Sequence, residues 1–460
     1  ELLKINPFRF PEHTHILEHL DRLVEIFNVC WPMYAAMPAI LKDSVERAYV
    51  RSGWDLEKSV NHYDKNLFPT FSDVVAQVKE VLEESDYSAD NKGDYTGSLV
   101  TRLRSLTNGI NGLIFTPDDL SDEELFDENV IVDLSRVGSS ETKSLIMGLL
   151  VLKLQEHRME QRFTGANVNE ALKHITVLEE AHNLLKRTST EQTSEGLNLI
   201  GKSVEMLANS IAEMRTYGEG FVIADQSPGL LDMSVIRNTN TKIILRLPDF
   251  TDRELVGKAA GLNDNQITEI AKLEKGVAAI SQSDWLEPVL CKIDKYEGIS
   301  EPFENYNSIV KKHAGVNSDL VKKSLLDCIM KKEIYREGDR IDIQQLKTSI
   351  LKSKLDTAVK CDFINYISVD SEHAVEALRS LIYDFFNAKE AINKSKRCDN
   401  IVEWVHTVVD NLSPSVSTYT KKQMDLVMVL LVYEQAERDA SYNDILCSFS
   451  ELYKTKGGVF

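Results

Sequence analysis

Apolar positions along the first third of the chain recur every three or four residues. In HILEHLDRLVEIFNVC they fall at Ile16, Leu20, Leu23, Ile26 and Phe27, the spacing of one helix face. PAILKDSVERAYVRSG (38–53) predicts a second helix, with Pro38 near its first turn and Gly53 at its end. TFSDVVAQVKEVLEES predicts a third, capped by Ser72. A fourth, SLVTRLRSLTNG, follows the polar loop 85–97. From about residue 128 the period changes. NVIVDLS (129–135), HITVLEE (174–180), GFVIADQS (220–227), TKIILRL (241–247), GVAAISQ (276–282) and PVLCKI (288–293) read as strands. Between them lie the helical stretches SETKSLIMGLLVLKLQEHRM and GKSVEMLANSIAEMRTYG (201–218), the second closed by Gly218. Apolar strands alternating with helices predict a parallel sheet covered on both faces. Beyond about 296, SDLVKKSLLDCIMKK, EHAVEALRSLIYDFFNAKEAI and KKQMDLVMVLLVYEQAERDA are helical in period and charged.

Composition narrows the class. At 460 residues, two or three structural units are expected. The apolar share of 43% beside 27% charged residues is that of a soluble globular protein. The longest apolar runs, LIMGLLVL and LVMVLLVY, fall far short of the roughly 20 residues of a spanning helix, so no membrane role is expected. The N-terminus ELLKINPFRF has no signal-peptide pattern and no initiator Met, which leads us to expect that the chain begins inside a longer protein. Six cysteines without a CxxC pair predict reduced, mostly buried thiols in a cytoplasmic protein. His15 and His19 share a helix face, but no acid or Cys is placed beside them by sequence, so a surface helix start is expected rather than a metal site. A net charge of −19 argues against a simple basic-patch binder of nucleic acid. It leaves open a ring that is acidic outside and basic along its channel.

The chemistry follows from the polar residues at strand exits, where open α/β sheets bind their ligands. Glu179 and Glu180 end one strand, Asp225, Gln226 and Ser227 another, and Asp133 with Ser135 a third. Two acids at one exit and an amide at the next suit nucleotide hydrolysis. The bland alternative is that the acids favour the start of the next helix.

The order NPFRF, GWDL, RLRSLTNGINGLIF, VIVDLS, HITVLEEAHNLL, IAEMRTYGEGFVIADQSP, NTNTKIILRLPDFTDRE and LEKGVAAI resembles the HerA-type branch of the FtsK/HerA translocases over roughly residues 1–293. The resemblance implies an α/β fold: a RecA-like P-loop NTPase core with a mainly helical insertion and a helical C-terminal extension. Residues 1–12 would start the core, 13–127 form the insertion, 128–295 the ATPase core and 296–460 the helical C-terminal region. It further implies ATP and Mg2+ as cofactors and a homo-hexamer on double-stranded DNA, translocating or unwinding it. The partner would be an effector, a nuclease or a sirtuin-like NADase, in DNA end resection or antiphage defence. Carried over, Glu179 is the acidic position beside Mg2+ (through water), Glu180 the catalytic base and Gln226 the polar sensor. Arg215 and Arg246 are candidates to reach a neighbouring subunit's nucleotide. The channel loop would be RTSTEQTSEG (187–196). No GxxxxGK[ST] occurs in the chain, and GSSETKS (138–144) lacks that spacing. The phosphate loop is therefore expected upstream of residue 1. The other function class is a ring-shaped scaffold that assembles and activates an effector with little hydrolysis.

Overall fold

The computed structural model describes residues 2–31, 33–163, 170–187, 195–298, 321, 324–325, 343–369, 373–395, 400–412 and 420–456. Its first elements are α1 (Ile16–Cys30), α2 (Met37–Arg51), β1 (Trp54–Asp55), β2 (Val60–Asn61), α3 (Phe71–Glu84), α4 (Ala89–Tyr95) and α5 (Thr101–Thr107). Next come α6 (Asn111–Ile114), α7 (Asp122–Phe126), α8 (Ser140–Phe163), β3 (His174–Glu179), α9 (Glu195–Glu213) and β4 (Glu219–Ala224). The series continues with α10 (Met233–Asn238), β5 (Thr241–Ile244), α11 (Phe250–Ala259), α12 (Asp264–Ile270), β6 (Val277–Gln282) and β7 (Val289–Lys292). The remaining described elements are helices between Ile343 and Lys456. The architecture is mixed α/β and mostly helical. Two compact units form, one from Glu1–Glu46, Val74–Phe115 and Asp119–His313, the other from Arg47–Asp73, Thr116–Asp118 and Ala314–Phe460. Most of the expected helix SDLVKKSLLDCIMKK and of the channel loop 187–196 lies outside the described residues.

In the first unit one continuous parallel sheet does not form. β3 and β4 pair in parallel, with Glu179 opposite Ala224. β5, β6 and β7 form a separate antiparallel sheet. A cavity of about 210 Å³ is lined by Ile223 and Asp225 on the β4 side and by Thr241 to Leu245 on the β5 side. The segment NVIVDLS is not a strand either, and Ile131 is 90% exposed. Its Asp133 accepts the Ser135 N–H at 2.8 Å, an Asx turn that competes with strand pairing. Covering on both faces also fails for the β3–β4 pair. Leu178 is buried, whereas Ile175, Val177 and Val222 are about half exposed.

Two local expectations are corrected, one by a contact far apart in sequence and one by cap geometry. His19 is fully buried, its Nδ1 at 3.0 Å from both oxygens of Glu156. His15 does start the helix, its ring nitrogen accepting the Leu17 N–H at 3.3 Å. At α3 the cap is not Ser72; the Asp73 carboxylate takes the Thr70 N–H and hydroxyl, both at 2.7 Å. Of the four described cysteines, all free, Cys30 and Cys361 are buried and Cys291 and Cys447 exposed.

Helix α8 organises the first unit. Leu145, Ile146, Leu149, Val151, Leu152 and Leu154 are all buried, so the helix is wrapped on more than one side. Gly148 permits the close approach of α1, since a Cβ there would come within 2.8 Å of Ile26. At the other end of α8, Arg158 is clamped. Its Nε donates to Glu219 at 2.9 Å, one terminal nitrogen to Asp127 at 2.6 Å and the other to the Phe126 carbonyl at 2.6 Å. Glu219 is fully buried and also accepts from Thr176 at 2.7 Å and pairs with His174 at 2.8 Å. The helix is thereby fixed to the first residues of both β3 and β4.

The second unit has a helical core that includes Phe363, Leu381, Phe386, Val405, Met428 and Leu431. Beside that core, Asp362 is pushed up to about 7 by burial and by the neighbouring charge and hydrogen bond of Asp384.

Two outcomes test these packings. Glu219→Leu removes the fully buried partner of the Arg158 guanidinium, which keeps the part-exposed Asp127, and should cost about 3–5 kcal/mol by chemical denaturation. A loss under about 1 kcal/mol would show that the network does not hold the unit together. Asp362 binds its proton more tightly folded than unfolded, because its native pKa lies above the ordinary 3.8. The second unit should therefore lose stability as pH rises from about 4 to 7. Hydrogen exchange in the helix Thr357–Ser368 reads this directly, and Asp362→Asn should flatten the dependence.

Candidate functional site

Strand β3 is apolar at Ile175, Val177 and Leu178 and turns acidic at its last residue. The chain then bends sharply. Glu180 takes φ 49° and ψ 49°, the left-handed region, before a single 3-10 turn over Ala181–Asn183. A non-glycine residue holds that conformation at a cost of roughly 1–2 kcal/mol, so the surroundings must enforce it. They do so at several points. The Glu180 carbonyl accepts both the backbone N–H and the side-chain amide of Asn183, each at 2.9 Å. The Asn183 carbonyl in turn accepts the Ser144 hydroxyl from α8.

The second half of the site comes from β4. Its start is set by Gly218, whose φ of 82° closes the 3-10 turn Met214–Tyr217 and redirects the chain into the strand. Parallel register then carries the exit of β4 alongside that of β3. There Gln226 donates its amide to Glu180 Oε1 at 2.7 Å. Asp225, with a side chain only 2% exposed, points the other way, toward His182. Its Oδ2 accepts the His182 backbone N–H at 2.9 Å and lies 2.8 Å from His182 Nδ1. Its Oδ1 accepts the Ser227 N–H at 2.8 Å. An ionised carboxylate only accepts, so Nδ1 is the protonated nitrogen of the His182 ring. His182 Nδ1 also lies 3.5 Å from Glu180 Oε2.

The structure thus brings together two of the five residues singled out from sequence, Glu180 and Gln226. Glu179 stands beside them, exposed on the open face of the β3–β4 pair. Arg215 and Arg246 are exposed and contact neither of them among the described residues. Arg215 precedes β4, whereas Gln226 follows it. Six strand residues separate the two ends, roughly 20 Å at about 3.3 Å per residue. Sequence reasoning passed over His182 and gave Asp225 no role of its own. The available signal was a histidine two residues after the paired acids, facing an Asp one residue before the Gln.

As donors, Glu180, His182 and Asp225 each present one atom, all within 4.8 Å of one another. Both oxygens of Asp225 are already occupied by nitrogen donors, so this trio is a hydrogen-bonded cluster. The Glu179 carboxylate makes no hydrogen bond or ion pair among the described residues. Its carboxylate at a strand exit is the hard oxygen donor that suits Mg2+ or its water shell.

No family model matches the sequence. The chain is 21% identical over 328 residues to the DNA double-strand break repair helicase HerA of Sulfurisphaera tokodaii, covering 68% of this chain and 60% of that protein. A probable helicase of Methanocaldococcus jannaschii is 22% identical over 317 residues, 64% of this chain and 56% of that one. Among solved structures, VirB4 of Thermoanaerobacter pseudethanolicus overlaps with a TM-score of 0.45 at 16% identity, over 64% of this chain and 74% of that one. The chain spans less than two thirds of the length of the two curated relatives. These sequence similarities support membership of the HerA-like superfamily.

The strained turn has a direct test. Glycine at 180 relieves the left-handed conformation whereas alanine keeps it, so Glu180→Gly should be more stable than Glu180→Ala by about 1 kcal/mol in chemical denaturation. The reverse order would mean that residue 180 is not left-handed in solution.

Proposed function

We propose that this chain carries the catalytic base of an ATP-hydrolysing, HerA-like motor that translocates on or unwinds double-stranded DNA. The observation that carries the reading is the Glu180 carboxylate, held at a strand exit with the Gln226 amide 2.7 Å away on the adjacent exit. In this reading Glu180 accepts a proton from the attacking water, and Gln226 fixes the carboxylate and senses the nucleotide's terminal phosphate. Glu179 supports Mg2+ through water; the ion, when bound with ATP, offsets the phosphate charge. Glutamate oxygens at an exposed exit fit that task.

Arg215 is at the far end of β4 from Glu180, too distant to act on a nucleotide beside Glu180 of the same chain. Its exposure supports a contact with a neighbouring subunit's nucleotide in a homo-hexamer, with Arg246 as the second candidate. Such arginines contribute about 10³–10⁵ in rate elsewhere. A nuclease or a sirtuin-like NADase effector, in antiphage defence or end resection, would be the partner of the ring.

Glu180→Gln should leave ATP binding intact and lower turnover by at least about 100-fold. Unchanged turnover would remove Glu180 from the mechanism. Duplex DNA should stimulate hydrolysis by the unsubstituted protein, and native mass measurement should give a hexamer. Lack of stimulation would favour the scaffold role, and a stable monomer under ATP would exclude the contact from Arg215.

A further inference from the structure

We infer that Asp225 and His182 are positioning residues that hold Glu180 in its working orientation, and that the catalytic unit at this exit is a relay of four side chains rather than a Glu–Gln pair. The inference rests on the reading of Glu180 as the general base and deepens it.

The geometry that carries it begins with the strain at Glu180. A left-handed glutamate points its side chain differently from one in an extended strand, and it keeps that direction only while the next residues are fixed. Asn183 fixes the Glu180 carbonyl from below, through two donors at 2.9 Å. Asp225 fixes the chain on the other side, because its Oδ2 receives both the backbone and the ring N–H of His182, at 2.9 and 2.8 Å. Asp225 is itself immobile: its other oxygen holds the Ser227 N–H at 2.8 Å and its side chain is 2% exposed. Charge-assisted bonds of this kind, shielded from water, are stronger than neutral ones. One carboxylate therefore ties the exit of β3 to the exit of β4, on the residue between the strand's end and Gln226. It sets the separation across which Gln226 reaches Glu180.

The arrangement has a chemical consequence. Both Asp225 oxygens are occupied by N–H donors, so its carboxylate is turned to His182 and Ser227 rather than to Glu180. The His182 ring lies between the two acids, 2.8 Å from Asp225 and 3.5 Å from Glu180. Removing the ring takes one of the two donors from Asp225 Oδ2, leaving the residue-182 backbone N–H, and removes the spacer between the two carboxylates. The turn then keeps Asn183 and that backbone bond, and the Glu180 carboxylate loses the ring that stands beside it.

A positioning role predicts a split in kinetics. His182→Ala should lower kcat for ATP about 10–100-fold while KM changes by less than about threefold. His182→Asn carries an amide N–H close to where Nδ1 stands, and should recover most of the lost kcat. Asp225→Asn, close in shape but presenting an amide to two donors, should reproduce the His182→Ala loss in kcat. Equal kcat in His182→Ala and the unsubstituted protein, with Glu180→Gln inactive, overturns the relay and leaves the base assignment standing. Full activity in Glu180→Gln overturns the base assignment instead. Loss in His182→Asn as deep as in His182→Ala would likewise overturn the relay, since the donor would then be irrelevant. Thermal melting of each variant within a few degrees of the unsubstituted protein, about 1 kcal/mol or less, ensures that the kinetics report on folded protein. Should Asp225→Asn melt lower, the paired His182 variants decide the matter alone.

Discussion

The buried pairing of Arg158 with Glu219 is the constraint on which the β3–β4 pair depends. Both side chains are withdrawn from water, so their charges are tolerable because they face each other and because Asp127, His174 and Thr176 complete the network. Arg158 belongs to α8, and Glu219 opens β4 while also holding His174 and Thr176 of β3. Helix and both strands are therefore locked at the strands' starting ends. In a parallel pair, register fixed at one end is register at the other. Residues 174 to 179 run opposite 219 to 224 without a slip, and the two exits emerge level. A shift of one residue would turn every side chain to the opposite face and carry Gln226 away from Glu180.

At those exits the fold changes strategy. The starts of the strands are held by buried charge. The ends are held by backbone donors and one carboxylate, which leaves the working side chains in reach of solvent. Asp225 is almost wholly covered, whereas Glu180 is 42% exposed. The cost of a left-handed glutamate is accepted because it aims a carboxylate off the strand axis, toward the next exit, where an extended residue would have pointed it along the sheet face with Thr176 and Leu178. Strain of this size is modest against the several contacts that enforce it.

Much of this was legible in the sequence and some was not. Periodicity located α1, α8, β3, β4 and the Gly218 stop, because each is a local pattern. It also placed Glu180 and Gln226 at neighbouring exits. Pairings between distant residues left no trace in the pattern: His19 with Glu156, Arg158 with Glu219, His182 with Asp225. Strand direction was legible in part but was misread. Only the short stretch from Ser283 to Pro288 joins β6 to β7, and a parallel crossover needs about a dozen residues or more. Antiparallel pairing was thus already implied there. The segment 129–135 failed for a different reason, since an apolar run says nothing about whether a partner strand is available, and Asp133 offered a turn instead.

The positions of the two arginines carry the last step. Hydrolysis at the exit of β3 requires positive charge near the terminal phosphate, yet among the residues gathered there, Glu179, Glu180, His182, Asp225 and Gln226, only histidine can carry any. Arg215 sits at the opposite end of β4, held there by the 3-10 turn and by Gly218. A strand of six residues is rigid on this scale, so a side-chain rearrangement does not bridge the separation. In the reading we propose, an arginine so placed would serve this exit from another copy of the chain. In the proposed ring, Arg215 would add to the positive charge that Mg2+ and a phosphate loop supply at an exit whose own side chains are mostly acidic.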